Sequence, residues 1–166
     1  MPIRSICNTD WPEIMAIQNQ CYLEFISESL VVMQSKWLTS PTTCTVFEDD
    51  NRILAYALTH PWQRGDAPSL DSELTDIAPA NCLYLHDMAI SPEAQGMGLG
   101  KLLLSNIISI ARQLTLDGIG LVAVQGAQTY WQQRGFMPAA PSNTLLQSLN
   151  SYPPGACYLY LPLTQA

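Results

Sequence analysis

The segment from Leu83 to Leu104 constrains the structure of this chain more than any other feature. It contains, in order, a buried strand over Leu83–Ile90, a turn with Gly96, Gly98 and Gly100, and an amphipathic helix. Such a connection directs free backbone N–H groups and the positive end of a helix dipole at one small volume. We therefore predict that a phosphate-bearing compound binds at this turn.

Two common phosphate-binding loops do not fit this segment. A P-loop would place glycine at Gln95 and a hydroxyl residue at Leu102, directly after Lys101. A dinucleotide-binding G-x-G-x-x-G also fails, because a lysine or a leucine stands where its last glycine belongs. The pattern that remains is Gln95-x-x-Gly98-x-Gly100.

This loop pattern resembles the pyrophosphate-binding loop of the GCN5-related N-acetyltransferases (GNAT superfamily), which reads Arg/Gln-x-x-Gly-x-Gly/Ala. Upstream, Met88–Pro92 resembles the end of the family's central strand. Downstream, Ala127–Phe136 resembles its second signature, a short helix that runs into Gly-Phe. The resemblance implies an α/β fold of the GNAT type, with a single mixed, mostly antiparallel sheet of six to seven strands. The sheet would be splayed at its central pair and flanked by about four helices.

The composition fits one domain over residues 1–166, because 166 residues with 48% hydrophobic content can bury a single core. The 7 lysines and arginines face 14 acidic residues, and the net charge of −7 disfavours a nucleic-acid partner. The 5 cysteines form no C-x-x-C pair, which favours a reducing compartment, and we expect no metal site.

Targeting signals point the same way. The N-terminus has no apolar signal segment, and no run of the chain approaches the roughly 18 apolar residues of a membrane span. We therefore predict a cytoplasmic protein without a membrane partner. The family resemblance adds a homodimer as a further expectation.

Apolar spacing and turn residues predict the remaining elements. In chain order they are a strand Ile3–Ile6, a helix from Asp10 with a capping box to Glu13, a helix Leu30–Leu38, a hairpin of Cys44–Glu48 and Ile53–Thr59, a helix Gly98–Leu116, a strand Ile119–Val124, a helix Ala127–Arg134, a strand from Phe136, and a strand Ala156–Leu163. The long segment Pro61–Pro79 is expected to cover the substrate site in part. The segment Ser142–Pro154 reads as a loop without pattern.

The resemblance implies acetyl-CoA as the co-substrate. Its pantetheine would hydrogen-bond to Met88, Ala89 and Ile90, and a backbone N–H at Met88 or a neighbour would polarise the thioester carbonyl. Its pyrophosphate would bind the backbone N–H groups of the loop, from Gln95 through Gly96, Met97, Gly98, Leu99 and Gly100 to Lys101. Glycines suit this loop because they allow close backbone approach and φ > 0. The alternative is a tight strand–helix turn that binds nothing, but three glycines in five residues exceed what such a turn needs.

The stretch Tyr84–Met88 is similar to the His-Leu-His-x-Leu-Ala-Val of the aralkylamine (serotonin) N-acetyltransferases, whose histidines help carry protons from the amine. Strand alternation predicts that Tyr84, His86 and Met88 share one face and that Asp87 points the other way. We predict His86 as the general base, directly or through water. The alternative is a core histidine with a satisfied hydrogen bond.

The resemblance leaves the acid that protonates the thiolate open. The family commonly places a tyrosine where this chain has Trp131, whose indole N–H cannot release a proton. We expect Trp131 to pack against the pantetheine and Tyr130 to point elsewhere. Tyr84 or water could supply the proton, or no specific acid is used.

For the acceptor we expect an amine, either a small molecule or a peptide amine. Its site would be lined by Tyr22, Phe25, Trp62 and His60, with Glu24 and Glu28 able to hold a cationic group. His60 is placed at a strand end, where a histidine is usually solvated. The expected activity is acetyl transfer from acetyl-CoA to a primary amine by direct attack in a ternary complex. The alternative is a non-catalytic acyl-CoA-binding or sensory module of the same fold.

Overall fold

The computed structural model describes residues 2–23, 26–75, 79–140 and 142–163. In this part of the chain seven strands form one mixed sheet in the order β1-β2-β3-β4-β5-β7-β6, and β4–β5 is its parallel pair. The strands are β1 Ile3–Ser5, β2 Thr45–Asp49, β3 Arg52–Trp62, β4 Cys82–Ile90, β5 Gly118–Ala123, β6 Met137–Pro138 and β7 Cys157–Pro162. The predicted mixed, mostly antiparallel sheet is confirmed.

Five α-helices flank the sheet in the described residues. They are α1 Trp11–Cys21, α2 Leu30–Thr39, α3 Leu99–Gln113, α4 Gln128–Gln132 and α5 Asn143–Leu149. One sheet face packs on α3, where Leu104 and Ile107 meet Leu85 of β4. The other face packs on α1 and α2, where Ile14 and Met33 meet the β3 side chains. The described helices include none with the length and apolar character that a bilayer crossing requires.

The sheet splits between its two central strands. Within the described residues, β4 pairs with β5 at only two positions, Leu83 with Ile119 and Tyr84 with Gly120. Beyond Tyr84 the two strands diverge, so the β5-facing edge of residues 85–90 lies along an open wedge. The splay that the family resemblance implied is therefore present, and it places the end of β4 beside a cleft.

A β-bulge re-aims the side chains of β4. Leu58 of β3 lies opposite Asp87 and Thr59 lies opposite Leu85, so His86 is the extra residue on β4. Bulges interrupt the alternation of side chains and are common next to active sites. His86 and Asp87 consequently both turn toward the α1–α2 side, where they meet Glu28 and Tyr56 respectively.

The bulge overturns the prediction that Tyr84, His86 and Met88 share one face. Met88 packs on the α3 side of the sheet, against the two clusters that α3 contributes to. Asp87, which was expected to point the other way, lies on the same side as His86. The sequence carries no local sign of this change because the bulge depends on how β3 pairs with β4.

Three element predictions need correction. The predicted capping box of α1 is wrong, since the Asp10 carboxylate accepts from Arg4 and Cys7 and the Glu13 carboxylate accepts from Ile53 N–H. Strand β3 extends to Trp62, so His60 is not at a strand end. The segment 142–154, expected as a loop, contains the helix α5, which begins after the Ser142 side chain caps Leu145 N–H.

Candidate active site

The wedge between β4 and β5 opens into a cavity of about 670 Å³. Its wall combines the end of β4, the glycine-rich turn with the first turn of α3, the end of β5 with α4, and the segment between α1 and α2. The lining residues used below are Cys21, Tyr22, Ile26, Glu28, Leu70, His86, Asp87, Met88, Gly96, Gly98, Gly100, Lys101, Gln125, Tyr130, Trp131, Arg134 and Tyr152.

The N-terminus of α3 faces this cavity without a side-chain cap among the described groups. Gly98 is its N-cap residue with φ +79°, and Gly96 has φ +84°. A Cβ at either position would meet no described atom within 4 Å, so the left-handed backbone, rather than lack of space, calls for glycine there. The N–H groups of the first helical turn have no intrahelical partner. Together with the helix dipole they form an anion site that fits a pyrophosphate.

Gly100 has a different reason to be glycine. A Cβ built there would lie 2.3 Å from the hydroxyl oxygen of Tyr130 on α4. Tyr130 therefore reaches across the cavity to the first turn of α3, and the expectation that it points elsewhere is wrong. The Arg134 guanidinium stacks 3.5 Å from the centroid of the Tyr130 ring. Among the described lining residues, the lysine and arginine side chains are Lys101 and Arg134.

Trp131 lies where the sequence placed it, at the inner wall of the cavity. Its side chain packs edge-to-face on Phe136 with ring centroids 5.3 Å apart, and the residue is largely buried. An indole in this position can contact a bound pantetheine and contributes to the hydrophobic core. Its N–H has no proton to release near neutral pH.

The free edge of β4 carries two side-chain hydrogen bonds from the end of α1. The Tyr22 hydroxyl donates to Met88 O at 3.0 Å and the Cys21 thiol donates to Ile90 O at 3.1 Å. In an extended strand the N–H and C=O of one residue project from the same edge. Met88 N–H therefore also faces the wedge, in the orientation that polarising a bound carbonyl requires.

Gln125 ties the two walls of the wedge together at its mouth. Its Oε1 accepts from Leu23 N–H at 2.9 Å, and its Nε2 donates to Cys21 O at 3.4 Å. The residue has φ +53°, a left-handed conformation that is uncommon for a side chain other than glycine, asparagine or aspartate. The segment after α1 is thus linked directly to the end of β5.

His86 is held by a buried carboxylate. Its Nε2 is hydrogen-bonded to Glu28 Oε1, and the two side chains are 2% and 4% exposed. Burial alone would raise the pKa of Glu28, but His86 and Lys36 nearby lower it to about 2. Glu28 is therefore ionised at neutral pH and is occupied by His86 rather than left free for a cationic substrate.

Asp87 is the second carboxyl group of the site. Desolvation raises its pKa to about 6, although the hydrogen bond from Tyr56, the neighbouring Tyr22 hydroxyl and the nearby His86 oppose this increase. The Tyr56 hydroxyl donates to its Oδ2 at 2.6 Å. A carboxyl group that titrates near neutrality beside a cleft is a second candidate for proton transfer.

Several residues predicted for the site do not line the cavity. Its described wall leaves out Tyr84, His60 and Trp62, which pack against each other, with the His60 ring 5.4 Å from Tyr84 and 5.1 Å from Trp62. His60 is fully buried rather than solvated, and burial with the nearby His86 lowers its pKa to about 3. Met97 is 58% exposed outside the described wall, and Glu24 and Phe25 lie outside the described residues.

The sequence pattern of the acetyltransferase (GNAT) family matches residues 11–136. The chain belongs to this family. The predicted co-substrate acetyl-CoA is confirmed with it, and the loop Gln95–Lys101 and the uncapped start of α3 fit its pyrophosphate.

The GNAT fold is also found in solved structures. Ard1 from Thermoplasma volcanium superposes with a TM-score of 0.74 at 12% identity, over 98% of this chain and 97% of that chain. The ribosomal-protein-S18-alanine N-acetyltransferase from Escherichia coli gives a TM-score of 0.70 at 19% identity, over 99% and 94%. Such identities establish a shared fold.

One curated relative is similar over a shorter stretch. The tRNA(Met) cytidine acetyltransferase TmcA from Saccharolobus islandicus (strain Y.G.57.14 / Yellowstone #1) is 32% identical over 65 residues, or 39% of this chain. The chain spans 9% of the length of that relative.

Some lining residues of this GNAT site were missed by the sequence reasoning. Ile26 and Tyr152 come from separate loops, and no local pattern marks them, whereas Leu70 belongs to the segment Pro61–Pro79 that was expected to cover the site in part. Arg134 was assigned only to a helix, although it directly precedes the Gly-Phe signature. Glu28 was expected to hold substrate, and its actual partner, His86, is 58 residues away in sequence.

Proposed function

We propose that this GNAT enzyme transfers the acetyl group of acetyl-CoA to the nitrogen of a primary amine, either a small molecule or a peptide amine. The observation that carries the proposal is the buried Glu28–His86 pair, which lies in the wall of the same cavity as the uncapped N-terminus of α3 and Met88. A histidine held in this way is suited to proton transfer and exceeds what binding a CoA thioester alone requires.

Related structures support both halves of the proposal. The N-acetylglutamate synthase from Neisseria gonorrhoeae was solved with coenzyme A and N-acetyl-glutamate, and the GphF GNAT-like decarboxylase with isobutyryl-CoA. The ribosomal-protein-S18-alanine N-acetyltransferase acts on an amine by its name. The local likeness of Tyr84–Met88 to the aralkylamine enzymes favours a small amine.

Acetyl-CoA supplies the acetyl group as a thioester; as the new carbon–nitrogen bond forms, the carbon–sulfur bond breaks and coenzyme A leaves as a thiolate, which takes up a proton from water. The N–H groups of Leu99, Gly100 and Lys101 would hold its pyrophosphate at the start of α3. Met88 N–H would donate to the carbonyl oxygen, where negative charge develops during transfer. Trp131 shields this part of the cavity from water on the inner side.

His86 is the proposed base. An amine that arrives as an ammonium ion must lose a proton before its nitrogen can attack a carbonyl, and His86 accepts that proton directly or through water. Asp87 is the rival for this role, because its raised pKa also makes it a proton acceptor near neutrality. Tyr84 lies behind His86 in the core, outside the described cavity wall, and burial raises its pKa well above the usual range, so in the proposed mechanism it has no part in protonating the thiolate.

The acceptor end of the cavity favours a compact amine. Ile26, Leu70 and Tyr152 contribute apolar and aromatic surface there, and the Tyr152 hydroxyl is engaged by Pro68 O at 3.1 Å. The net charge of −7 attracts an ammonium ion over long range. An amine with an apolar or aromatic body fits this combination.

A panel of primary amines tests the proposal, with acetyl-CoA as donor and free thiol as the measured product. We expect turnover on at least one compact amine, and we expect His86→Ala to lower kcat/KM at neutral pH by at least about tenfold. Asp87→Asn is the matched variant, expected to have the smaller effect. Tight binding of CoA without turnover on any amine contradicts the proposal, and a larger loss in Asp87→Asn transfers the base role to Asp87.

A further inference from the structure

The Glu28 carboxylate has two different partners. Its Oε1 faces His86 Nε2, and its Oε2 accepts from the backbone N–H of Asp71 at 2.7 Å. Both oxygens are therefore engaged, one by β4 and one by the long segment between β3 and β4. A carboxylate fixed at both oxygens has little freedom to rotate away from the imidazole.

The backbone of Glu28 is fixed as well. The buried side chain of Gln18 on α1 donates from Nε2 to Glu28 O at 2.9 Å and accepts from Glu28 N–H at 3.0 Å. The neighbouring Ser29 N–H donates to Asp71 Oδ1 at 3.2 Å. Glu28 itself thus makes four hydrogen bonds, to β4, to the segment between β3 and β4 and to α1, and these set its position between helices α1 and α2.

The charge state of Glu28 decides which nitrogen of His86 carries hydrogen. An ionised carboxylate is only an acceptor, so the facing Nε2 must be the N–H. In the neutral imidazole the other nitrogen, Nδ1, then carries the lone pair. This buried Nδ1 makes no hydrogen bond within the described residues, and His86 lines the cavity.

We infer that Glu28 is a positioning residue, which fixes His86 in the Nε2–H tautomer and leaves Nδ1 as the atom that accepts the proton of the amine. The inference rests on the proposed function of His86 as the base. It resembles in logic the carboxylates that hold catalytic histidines in a single tautomer on unrelated folds. Glu28 lines the same cavity, but both of its oxygens are engaged, so it acts on the amine through His86.

The surroundings of His86 make this carboxylate its dominant charged neighbour. Lys36 of α2 is buried and donates to Ser72 O, and its positive charge helps to lower the pKa of Glu28. Asp87 of β4 and His60 of β3 are nearby, but Asp87 bonds to Tyr56, and His60 is neutral. Tyr152 packs in the same region with its hydroxyl on Pro68 O. Among the described residues, Glu28 is thus the charged group that contacts the imidazole directly.

The tautomer can be measured without any activity. The chain has 2 histidines, so ¹⁵N-histidine labelling gives two ring spin systems, and His86→Ala identifies the one from His86. We expect wild-type His86 to carry its hydrogen on Nε2 when neutral. In Glu28→Gln the amide can donate to Nε2, and we expect the population to move toward Nδ1–H. A wild-type His86 with hydrogen on Nδ1 overturns the inference.

The kinetic test uses the same variant. In Glu28→Gln we expect kcat/KM to fall by at least about tenfold, with the acid limb of its pH profile moved to lower pH and the KM for acetyl-CoA unchanged. Glu73→Gln is the matched control, since it removes one exposed charge from the nearby long segment and should leave both readouts unchanged.

Glu28→Asp separates a positioning role from loss of folding. It keeps the charge on a shorter side chain, so the tautomer and the acid limb should return toward wild type while kcat stays reduced. A Glu28→Gln protein that folds with wild-type tautomer and pH profile overturns the inference. A wild type that acetylates no amine contradicts the proposed function instead, and the tautomer measurement then decides the positioning role by itself.

Discussion

Two carboxyl groups near one histidine have opposite acid–base properties in this site. The contacts of Glu28 with His86 and Asp71 N–H lower its pKa to about 2, whereas desolvation raises that of Asp87 to about 6. The difference arises from their surroundings, because His86 and Lys36 outweigh desolvation at Glu28, whereas desolvation outweighs the Tyr56 hydrogen bond at Asp87. Pairs of groups whose environments separate their pKa values are typical of acid–base sites.

Asp87→Asn should stabilise the protein at neutral pH. Since the folded pKa of Asp87 lies above its unfolded value of 3.8, ionisation costs stability as the pH rises from 3.8 through 6, and the cost is complete above 6. We expect the free energy of unfolding to increase by about 1–3 kcal/mol at pH 7.5 and to change little at pH 4. Urea denaturation at both pH values measures this.

The exposed Asp117 gives the control for that experiment. Asp117→Asn removes the same charge from the same kind of side chain, and it should change the unfolding free energy by less than about 0.5 kcal/mol at either pH. An Asp87→Asn variant that is equally stable at both pH values would show that the buried carboxylate is ionised without cost.

At the scale of elements, the turn between β4 and α3 places a left-handed backbone beside the expected pyrophosphate site. Gly98 caps α3 in a left-handed conformation, and the cavity lies directly beside it. A Cβ there has room, so replacing it with alanine changes the backbone preference and not the packing. The left-handed backbone of this turn thus orients the N–H groups that would bind pyrophosphate.

Gly98→Ala should therefore weaken both stability and acetyl-CoA binding. We expect a loss of about 1–2 kcal/mol in the free energy of unfolding from the strained backbone, together with an increased KM for acetyl-CoA. Gly155→Ala is the matched control, because Gly155 has φ +90° with open space and lies outside the described cavity wall. It should lose similar stability and keep the wild-type KM. An unchanged KM in Gly98→Ala contradicts the role of the turn.

The elements also show what a sequence can and cannot predict. The turn Gln95–Lys101 and the strand before it were predictable, because their signals lie within a few residues of each other. The bulge at His86 was not, since it arises from the pairing of β3 with β4 and has no local signature. The helix α5 was missed because its apolar residues, Leu145, Leu146 and Leu149, span less than two turns.

The same limit applies to the site. Its loop Gln95–Lys101 is contiguous in sequence, and all of its residues except Met97 line the cavity. The part proposed for the acceptor is assembled from Tyr22, Ile26, Glu28, Leu70 and Tyr152, and only the folded chain brings them to one wall with His86. Tyr130 and Trp131 are adjacent, and the packing of Trp131 on Phe136 turns Tyr130 toward α3 instead.

At the scale of the whole molecule, an acidic protein binds an anionic co-substrate. The net charge is −7, and the phosphates of acetyl-CoA are repelled by it. The lysine and arginine side chains among the described lining residues, Lys101 and Arg134, lie next to the start of α3, so the unfavourable overall field is offset locally. Arg134 is held in place by stacking on Tyr130 and by donation to Tyr130 O at 2.8 Å.

Arg134→Gln should raise the KM for acetyl-CoA by about tenfold, the size expected for one lost hydrogen bond to a charged group. Arg112→Gln is the control, because it changes the net charge of the molecule by the same amount from the exposed end of α3. If the two variants raise the KM equally, the overall charge matters and the local contact does not. Steady-state kinetics at a fixed salt concentration measure both.

Because β4 and β5 pair at only two positions within the described residues, the sheet consists of two halves joined at one end. Near the other end the Gln125 side chain links β5 to the segment after α1. A compound that contacts both the free edge of β4 and the opposite wall of the cavity would join the two halves a second time. The free energy of unfolding would then depend on the concentration of that compound. Each tenfold rise above the dissociation constant adds about 1.4 kcal/mol to it. We therefore expect the co-substrate also to stabilise the folded protein.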